Sequence, residues 1–175
     1  MVLWYAFVTL LVFAGHTATA VAQQQWKTIE PAGAGFRIEF PASPTTEWKD
    51  LPSEFGTTRT LVSLLSRDDG AEFLMMYSKF PAGSFARDPQ IELEALRNRN
   101  IRAVQGKLLS EAALTVSRAP ARRLAIGFHD GNTIATVLLV LNGTRLYQAI
   151  CIVPRSVESD PDISRFLDSL VLAQH

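Results

Sequence analysis

Between Ala121 and Val153 both alternating sets of positions are mostly apolar, and the stretch is punctuated twice, by Asp130-Gly131 and Asn142-Gly143. Such pairs suit type I′ hairpin turns, which need positive φ at both central residues. The pattern predicts three consecutive antiparallel strands. With two-residue turns the register follows. Leu141 opposes Thr144, which pairs Leu139 with Leu146, Val137 with Gln148 and Ala135 with Ile150. His129 opposes Asn132, which pairs Ile126 with Ala135 and Leu124 with Val137. Cross-strand partners share a face. One face then carries Leu124, Ile126, Val137, Leu139, Leu146 and Ile150, with Gln148 among them. The other carries Ala125, Gly127, Ile134, Thr136, Leu138, Tyr147, Ala149 and Cys151. Two apolar faces call for cover on both sides, and the small residues of the second allow a helix to approach closely. Gln148 is expected to reach a backbone partner inside the core, since a buried unpaired amide is costly.

Elsewhere the pattern is shorter-ranged. Phe36, Ile38 and Phe40 alternate with Arg37 and Glu39, a half-buried strand that Pro41 and Pro44 end. Asp50 to Gly56 reads as loop. Thr57–Ser66 and Ala71–Phe80 read as strands joined by Arg67-Asp68-Asp69-Gly70. In the second of these Phe73, Met75 and Tyr77 share a face and Leu74 and Met76 share the other. Pro81-Ala82-Gly83-Ser84 breaks the chain. A helix then starts with Asp88 as N-cap and Pro89 at the first helical position. Its stripe of Leu93, Leu96 and Val104 is broken by Asn100, so one side should be solvated, and Gly106 is its expected stop. Lys107 to Ser117 reads as a strand, and Arg118-Ala119-Pro120 leads into the three-strand unit. The last helix repeats the Asp-Pro start at Asp160-Pro161. Its Ile163, Phe166, Leu167 and Leu170 follow i, i+3, i+4, i+7 and should dock on a face of the sheet.

Composition adds compartment and bulk. Met1 to Ala22 carries no Lys, Arg, Asp or Glu, and its short apolar run leads to Ala20-Val21-Ala22. This reads as a secretory signal over residues 1–22 cleaved before Gln23, with an uncleaved anchor as the alternative. Residues 23–175 then form one domain in the periplasm or outside the cell. One cysteine, Cys151, permits no intrachain disulfide, so stability rests on the core, for which 47% hydrophobic content suffices. The 17 basic and 17 acidic residues balance, which gives no argument for nucleic acid or an anionic membrane surface.

Candidate chemistry is sparse. Of the three histidines, His16 lies in the leader, His175 is the final residue, and His129 sits in the Asp-Gly turn. Cys151 alternates within an apolar strand and reads as a packed thiol rather than a nucleophile. No His or Cys pair has zinc-ligand spacing. Asp68-Asp69-Gly70 lacks the twelve-residue calcium pattern and reads as a hairpin turn. Gly33-Ala34-Gly35 precedes a strand, not a helix, and is no phosphate cradle. Asn142-Gly143-Thr144 matches the glycosylation triplet, but the turn explains the same residues. Arg118, Arg122 and Arg123 form a small basic cluster at the start of the three-strand unit, fit for an acidic partner or simply a solvated strand end.

Three short segments carry a resemblance: Gly35-Phe36-Arg37-Ile38-Glu39-Phe40-Pro41-Ala42-Ser43-Pro44, then Arg145-Leu146-Tyr147-Gln148 after a Gly turn, then Arg165-Phe166-Leu167-Asp168-Ser169-Leu170. Together they resemble a bacterial exported domain similar in fold to the PsbP extrinsic proteins of photosystem II and the Mog-type Ran-binding import factors. The resemblance spans roughly Trp26 to Leu172. It implies an α+β fold, an α/β/α sandwich with a central antiparallel sheet, a three-strand C-terminal meander and helices on its faces. Relatives commonly carry Pro-Gly before the first meander strand, where this chain has Pro120-Ala121. The resemblance carries over no catalytic residues, and fold does not transfer function.

The expected function is a non-catalytic exported domain that binds a protein partner or assists assembly at the cell envelope, with no cofactor or metal. The alternative is a small-molecule or lipid binder with a pocket between sheet and helix. A pocket lined by Phe73, Met75 or Tyr77 would favour the ligand reading, and a flat exposed apolar patch the partner reading. A hydrolase with an unrecognised site is a further rival.

Overall fold

The computed structural model describes residues 25–85 and 88–173; the leader expected over residues 1–22 lies outside them. The fold is α+β. Ten strands and two helices follow in the order β1 (Lys27–Ile29), β2 (Phe36–Phe40), β3 (Thr45–Ser53), β4 (Gly56–Ser66), β5 (Glu72–Lys79), α1 (Pro89–Ala103), β6 (Lys107–Val116), β7 (Ala119–Gly127), β8 (Thr133–Asn142), β9 (Arg145–Pro154), α2 (Pro161–Asp168) and β10 (Val171–Leu172). Seven strands form one antiparallel sheet in the order β3-β4-β5-β9-β8-β7-β6, and β1, β2 and β10 form a small second sheet.

The first hairpin keeps the expected register, Ile126 opposite Ala135 and Leu124 opposite Val137, but not by a two-residue turn. Phe128 and Thr133 still pair, and four residues loop out. The Gly131 N–H donates to the Phe128 carbonyl, while the Asp130 carboxylate accepts from the Asn132 and Thr133 amides. The β8–β9 register differs from expectation by two residues. Asn142 pairs with Arg145, so Leu139 opposes Gln148, Leu141 opposes Leu146, Val137 opposes Ile150 and Ala135 opposes Ile152. The reason is the turn type. Only Gly143, at φ 59°, takes positive φ, which is the II′ pattern with Gly first, not I′ with Gly second. A shift of two preserves every face assignment, as period-2 geometry requires.

Asp50–Gly56 is not loop. Thr45–Ser53 runs as edge strand β3 against β4 through a tight turn at Glu54-Phe55. Its polar, largely exposed sequence TTEWKDLPS hides the strand, because an edge strand mostly open to water needs no apolar alternation. Pro52 is tolerated at this edge. A further hairpin forms without a Gly or Asn in its turn. Ser117 (φ 48°) and Arg118 (φ 72°) form a two-residue I′ turn between β6 and β7, placing Pro120 inside β7 opposite Thr115.

Both helices begin as their sequences dictate. The Asp88 carboxylate accepts from the Gln90 N–H, and Asp160 accepts from Asp162, each followed by Pro. Helix α1 ends in a Schellman arrangement, with Gly106 N–H donating to Ile101 and Gln105 N–H to Arg102. Gln105, at φ 47°, takes the left-handed position where Gly106 had been the expected stop. Gly106 is needed for a different reason: a Cβ there would lie 2.5 Å from the Gly127 carbonyl oxygen.

The two helices build two separate cores. Helix α2 brings Ile163, Phe166, Leu167 and Leu170 onto one sheet face, together with β2's Phe36, Ile38 and Phe40 and the sheet's Phe73, Met75, Tyr77, Leu138, Val140, Tyr147, Ala149 and Cys151. The small sheet therefore shares the cover of this face with the helix. Helix α1 brings Leu93 and Leu96 onto the opposite face, against Leu124, Ile126, Val137, Leu139, Leu141 and Leu146.

The Phe166 ring sits edge-on to Phe40 (4.9 Å) and Phe73 (5.4 Å) and is fully buried. Phe166→Ala is expected to cost about 3–5 kcal/mol in denaturant melts, the range for truncating a large core aromatic; a loss below about 1 kcal/mol would make α2 peripheral to stability. Arg67, on the β4–β5 turn, meets Asp69, Asp160 (2.9 Å) and Asp162 (3.0 Å), tying that turn to the start of α2. Its hydrogen bond holds the Asp69 carboxyl below its ordinary value, more than offsetting the upward push of burial. A depressed folded-state pKa gives stability that is present above the ordinary Asp value and lost as pH falls through the lowered one. Asp69→Asn should therefore flatten the acid limb of the stability profile there; an unchanged limb would show the contact is energetically silent.

Candidate binding surface

The placement of α1 decides what the sheet leaves open. Its capped C-terminal end and the close contact of Gly106 with Gly127 lock it over β7 and β8. On the same face, β4, β5 and β9 continue the apolar rows outward. Leu64, Leu74 and Ile150 stand in one cross-strand row, flanked by Met76 and Ile152 in the neighbouring rows. Leu64 is 39% exposed and the other four are half-buried. They form an apolar stripe beside the helix.

Between this stripe and α1 lies a cleft of about 150 Å³. Its floor holds Thr60 and Ser78, whose hydroxyls bond each other at 2.7 Å, and its wall holds Arg99 and Asn100 of α1. Asn100 is tied to the Leu96 carbonyl (3.0 Å) and Arg99 to Glu54 (2.6 Å). Gln148 lines this cleft and is only half-buried, so it is not the enclosed core amide that its strand position suggested. The volume is well under the roughly 300–1,000 Å³ of typical small-molecule pockets.

Phe73, Met75 and Tyr77, named from the sequence as possible pocket lining, lie instead in the closed core beneath α2 and β2. Ring contacts link Tyr77 to Tyr147 (5.2 Å) and Phe36 to Tyr147 (5.8 Å), and the Tyr147 hydroxyl donates to the Ala34 carbonyl at 3.3 Å. This carbonyl belongs to the Gly33-Ala34-Gly35 stretch, which here serves packing.

The arginine cluster does not assemble. Arg122 and Arg123, adjacent on a strand, point to opposite faces. Arg122 pairs with Glu111, which also takes Arg97 (2.8 Å), and donates to the Gln90 carbonyl (3.2 Å). Arg123 pairs with Asp168 of α2. Both anchor a helix to the sheet, and only Arg118 is left exposed in its turn. His129 is exposed at a loop tip; His16 and His175 lie outside the described residues. Among the described residues no group of His, Cys, Asp and Glu is placed to hold a metal, and no helix is long and apolar enough to cross a membrane.

Cys151 is fully buried, opposite Thr136 rather than Ile134 because of the register, with Ala149 and Val153 beside it on its own face. Burial pushes its thiol far above the ordinary range, with the charge of Asp160 adding to the rise. Native protein at neutral pH should label with thiol reagents only as fast as it opens, so the labelling rate should follow unfolding. Rapid labelling of the folded chain would reopen a nucleophile role.

No protein-family model matches the chain, and no curated protein does. Among solved structures, the chain is similar to the solution structure of cyanobacterial PsbP, CyanoP, from Synechocystis sp. PCC 6803. That likeness has a TM-score of 0.57 at 11% identity and covers 87% of this chain and 95% of that one. A Pseudomonas aeruginosa protein of unknown function matches at a TM-score of 0.40 and 13% identity over 75% of this chain and 84% of that one. The first likeness shows that the fold is PsbP-like.

Proposed function

We propose that the chain is a non-catalytic, exported binding or assembly domain of the cell envelope, and that its partner is a protein. In this reading residues 1–22 are a cleaved signal and residues 23–175 are one domain, with α1 and α2 as the outer layers of an α/β/α sandwich. The observation that carries the partner reading is the stripe of Leu64, Leu74, Met76, Ile150 and Ile152. It continues an apolar sheet face past the edge of the helix that covers the rest. A partly exposed apolar row of this kind, beside polar strand edges, suits docking of another protein surface. The adjoining cleft is the seat of the ligand alternative, and its small volume weighs against it.

The test is capture from envelope extracts by wild-type chain and by a Leu74→Lys, Ile150→Lys double variant. The variant should melt close to wild type, because both positions are half-buried, and should lose at least roughly tenfold in capture, as expected when apolar anchors of an interface are replaced by charge. Equal capture by a folded variant would refute the surface. N-terminal sequencing of the exported protein should begin at Gln23; intact Met1 in the membrane fraction would refute export as a cleaved domain.

A further inference from the structure

At one end of the sheet three separate chain segments bring cations together. Lys79 ends β5, Arg118 sits in the β6–β7 turn, and Arg145 opens β9. With Ser117, Asn142, Thr144 and Ala173 they line a concavity of about 430 Å³, and no described acidic residue lines it. We propose that this concavity binds a phosphate-type oxyanion group.

Lys79 and Arg145 stand directly opposite each other in the β5–β9 ladder. Like charges at paired positions destabilise a sheet. Arg67, Arg97, Arg122, Arg123 and Arg165, the arginines that fix turns and helices to the sheet, each meet a carboxylate. Here no described acid pairs with Lys79, Arg118 or Arg145, and an anion would remove the repulsion.

The frame is fixed. The Phe80 N–H donates to the Thr144 carbonyl (2.9 Å), which ties the β8–β9 turn to the end of β5. The Leu172 N–H donates to Ser117 Oγ (3.0 Å), which ties the β6–β7 turn to β10. Arg118 occupies the second central position of a I′ turn at φ 72°, a place that favours Gly. Its side chain is exposed and has no packing role to offset that cost, which leaves its charge as the reason for it. Three cations with a Thr hydroxyl and an Asn amide match a divalent tetrahedral oxyanion better than a single carboxylate, which would leave two cations unanswered. The planar forks of two arginines suit phosphate oxygens. A free phosphate compound and a lipid headgroup share this chemistry.

The experiment titrates inorganic phosphate against chloride at matched ionic strength, using amide chemical shifts of the intact chain. Saturable shifts should be confined to residues 79–80, 117–118 and 142–145, and the melting temperature should rise with phosphate. Arg118→Gly should melt higher than wild type in phosphate-free buffer, because Gly suits the turn, yet bind phosphate at least tenfold more weakly. That combination separates lost binding from lost folding. Leu74→Lys, on the opposite sheet face, should leave the titration unchanged. A parallel arm uses phosphatidylcholine vesicles with and without phosphatidic acid. Sedimentation with the acidic vesicles that Arg118→Gly abolishes identifies a headgroup as the source; phosphate binding without vesicle binding identifies a soluble compound. Identical shifts in chloride, or binding in both arms insensitive to Arg118→Gly, would overturn the site.

Discussion

Strand β8 must be buried on both faces at once, and the rest of the molecule is arranged to meet that demand. Leu138 and Val140 point to one core, and Val137, Leu139 and Leu141 to the other. An antiparallel strand apolar on both sides cannot sit at an edge or face water. It therefore has β7 on one side and β9 on the other, with a helix over each face. The two covers are built differently. Beneath α2 lies an aromatic cluster of Phe36, Phe40, Phe73, Tyr77, Tyr147 and Phe166, enclosed from outside by the small sheet. Beneath α1 the packing is mostly aliphatic, with Phe80, Phe85 and Phe128 joining it, and the cover is one helix wide.

The width of that cover follows from local constraints. Gly106 permits the turn after α1 to press on the Gly127 carbonyl, and the Glu111–Arg122 pair with the Arg122 bond to Gln90 holds the other side. These contacts all lie toward β6 and β7. The helix is held over β7 and β8, reaching the β3–β4 turn through Arg99 and Glu54, and five apolar side chains of β4, β5 and β9 are left partly exposed. The open stripe is thus a consequence of where the helix is anchored, not of an unusual sequence in the strands that carry it.

This explains which parts were legible beforehand. Alternation assigned residues to faces correctly even where the β8–β9 register was off by two, because face depends only on parity. The register itself hung on whether Gly143 took the first or second turn position, which a lone Asn-Gly pair does not decide. Edge strand β3 carries no alternation because most of its residues face solvent. The Ser117-Arg118 turn carries no signal because neither residue is Gly or Asn. The capped helix starts, Asp88-Pro89 and Asp160-Pro161, were legible because capping is local. The stripe was not: Leu74 and Met76 were visible as one face of a strand, but their exposure depends on the footprint of a helix some fifteen residues further along. The grouping of Arg118 with Arg122 and Arg123 failed for a related reason. Adjacent strand residues diverge, whereas Lys79 and Arg145, far apart in sequence, converge through pairing.

Parity also separates the two surfaces. Lys79 and Arg145 share the face of Tyr77 and Tyr147, under α2 and the small sheet, while Leu74 and Ile150 belong to the face of α1. An anion at the turn end and a protein on the stripe would therefore approach from opposite sides of the sheet, and neither would block the other. They still share strands β5 and β9. Relief of the Lys79–Arg145 repulsion would act on the same ladder that presents Leu74 opposite Ile150, five residues along each strand. Any coupling between the sites would run through the stability of that ladder, since the two surfaces lie on opposite faces of it. A sheet paired along its full length is stiff, so the physical expectation is weak coupling: an anion that steadies the domain without switching its partner surface on or off.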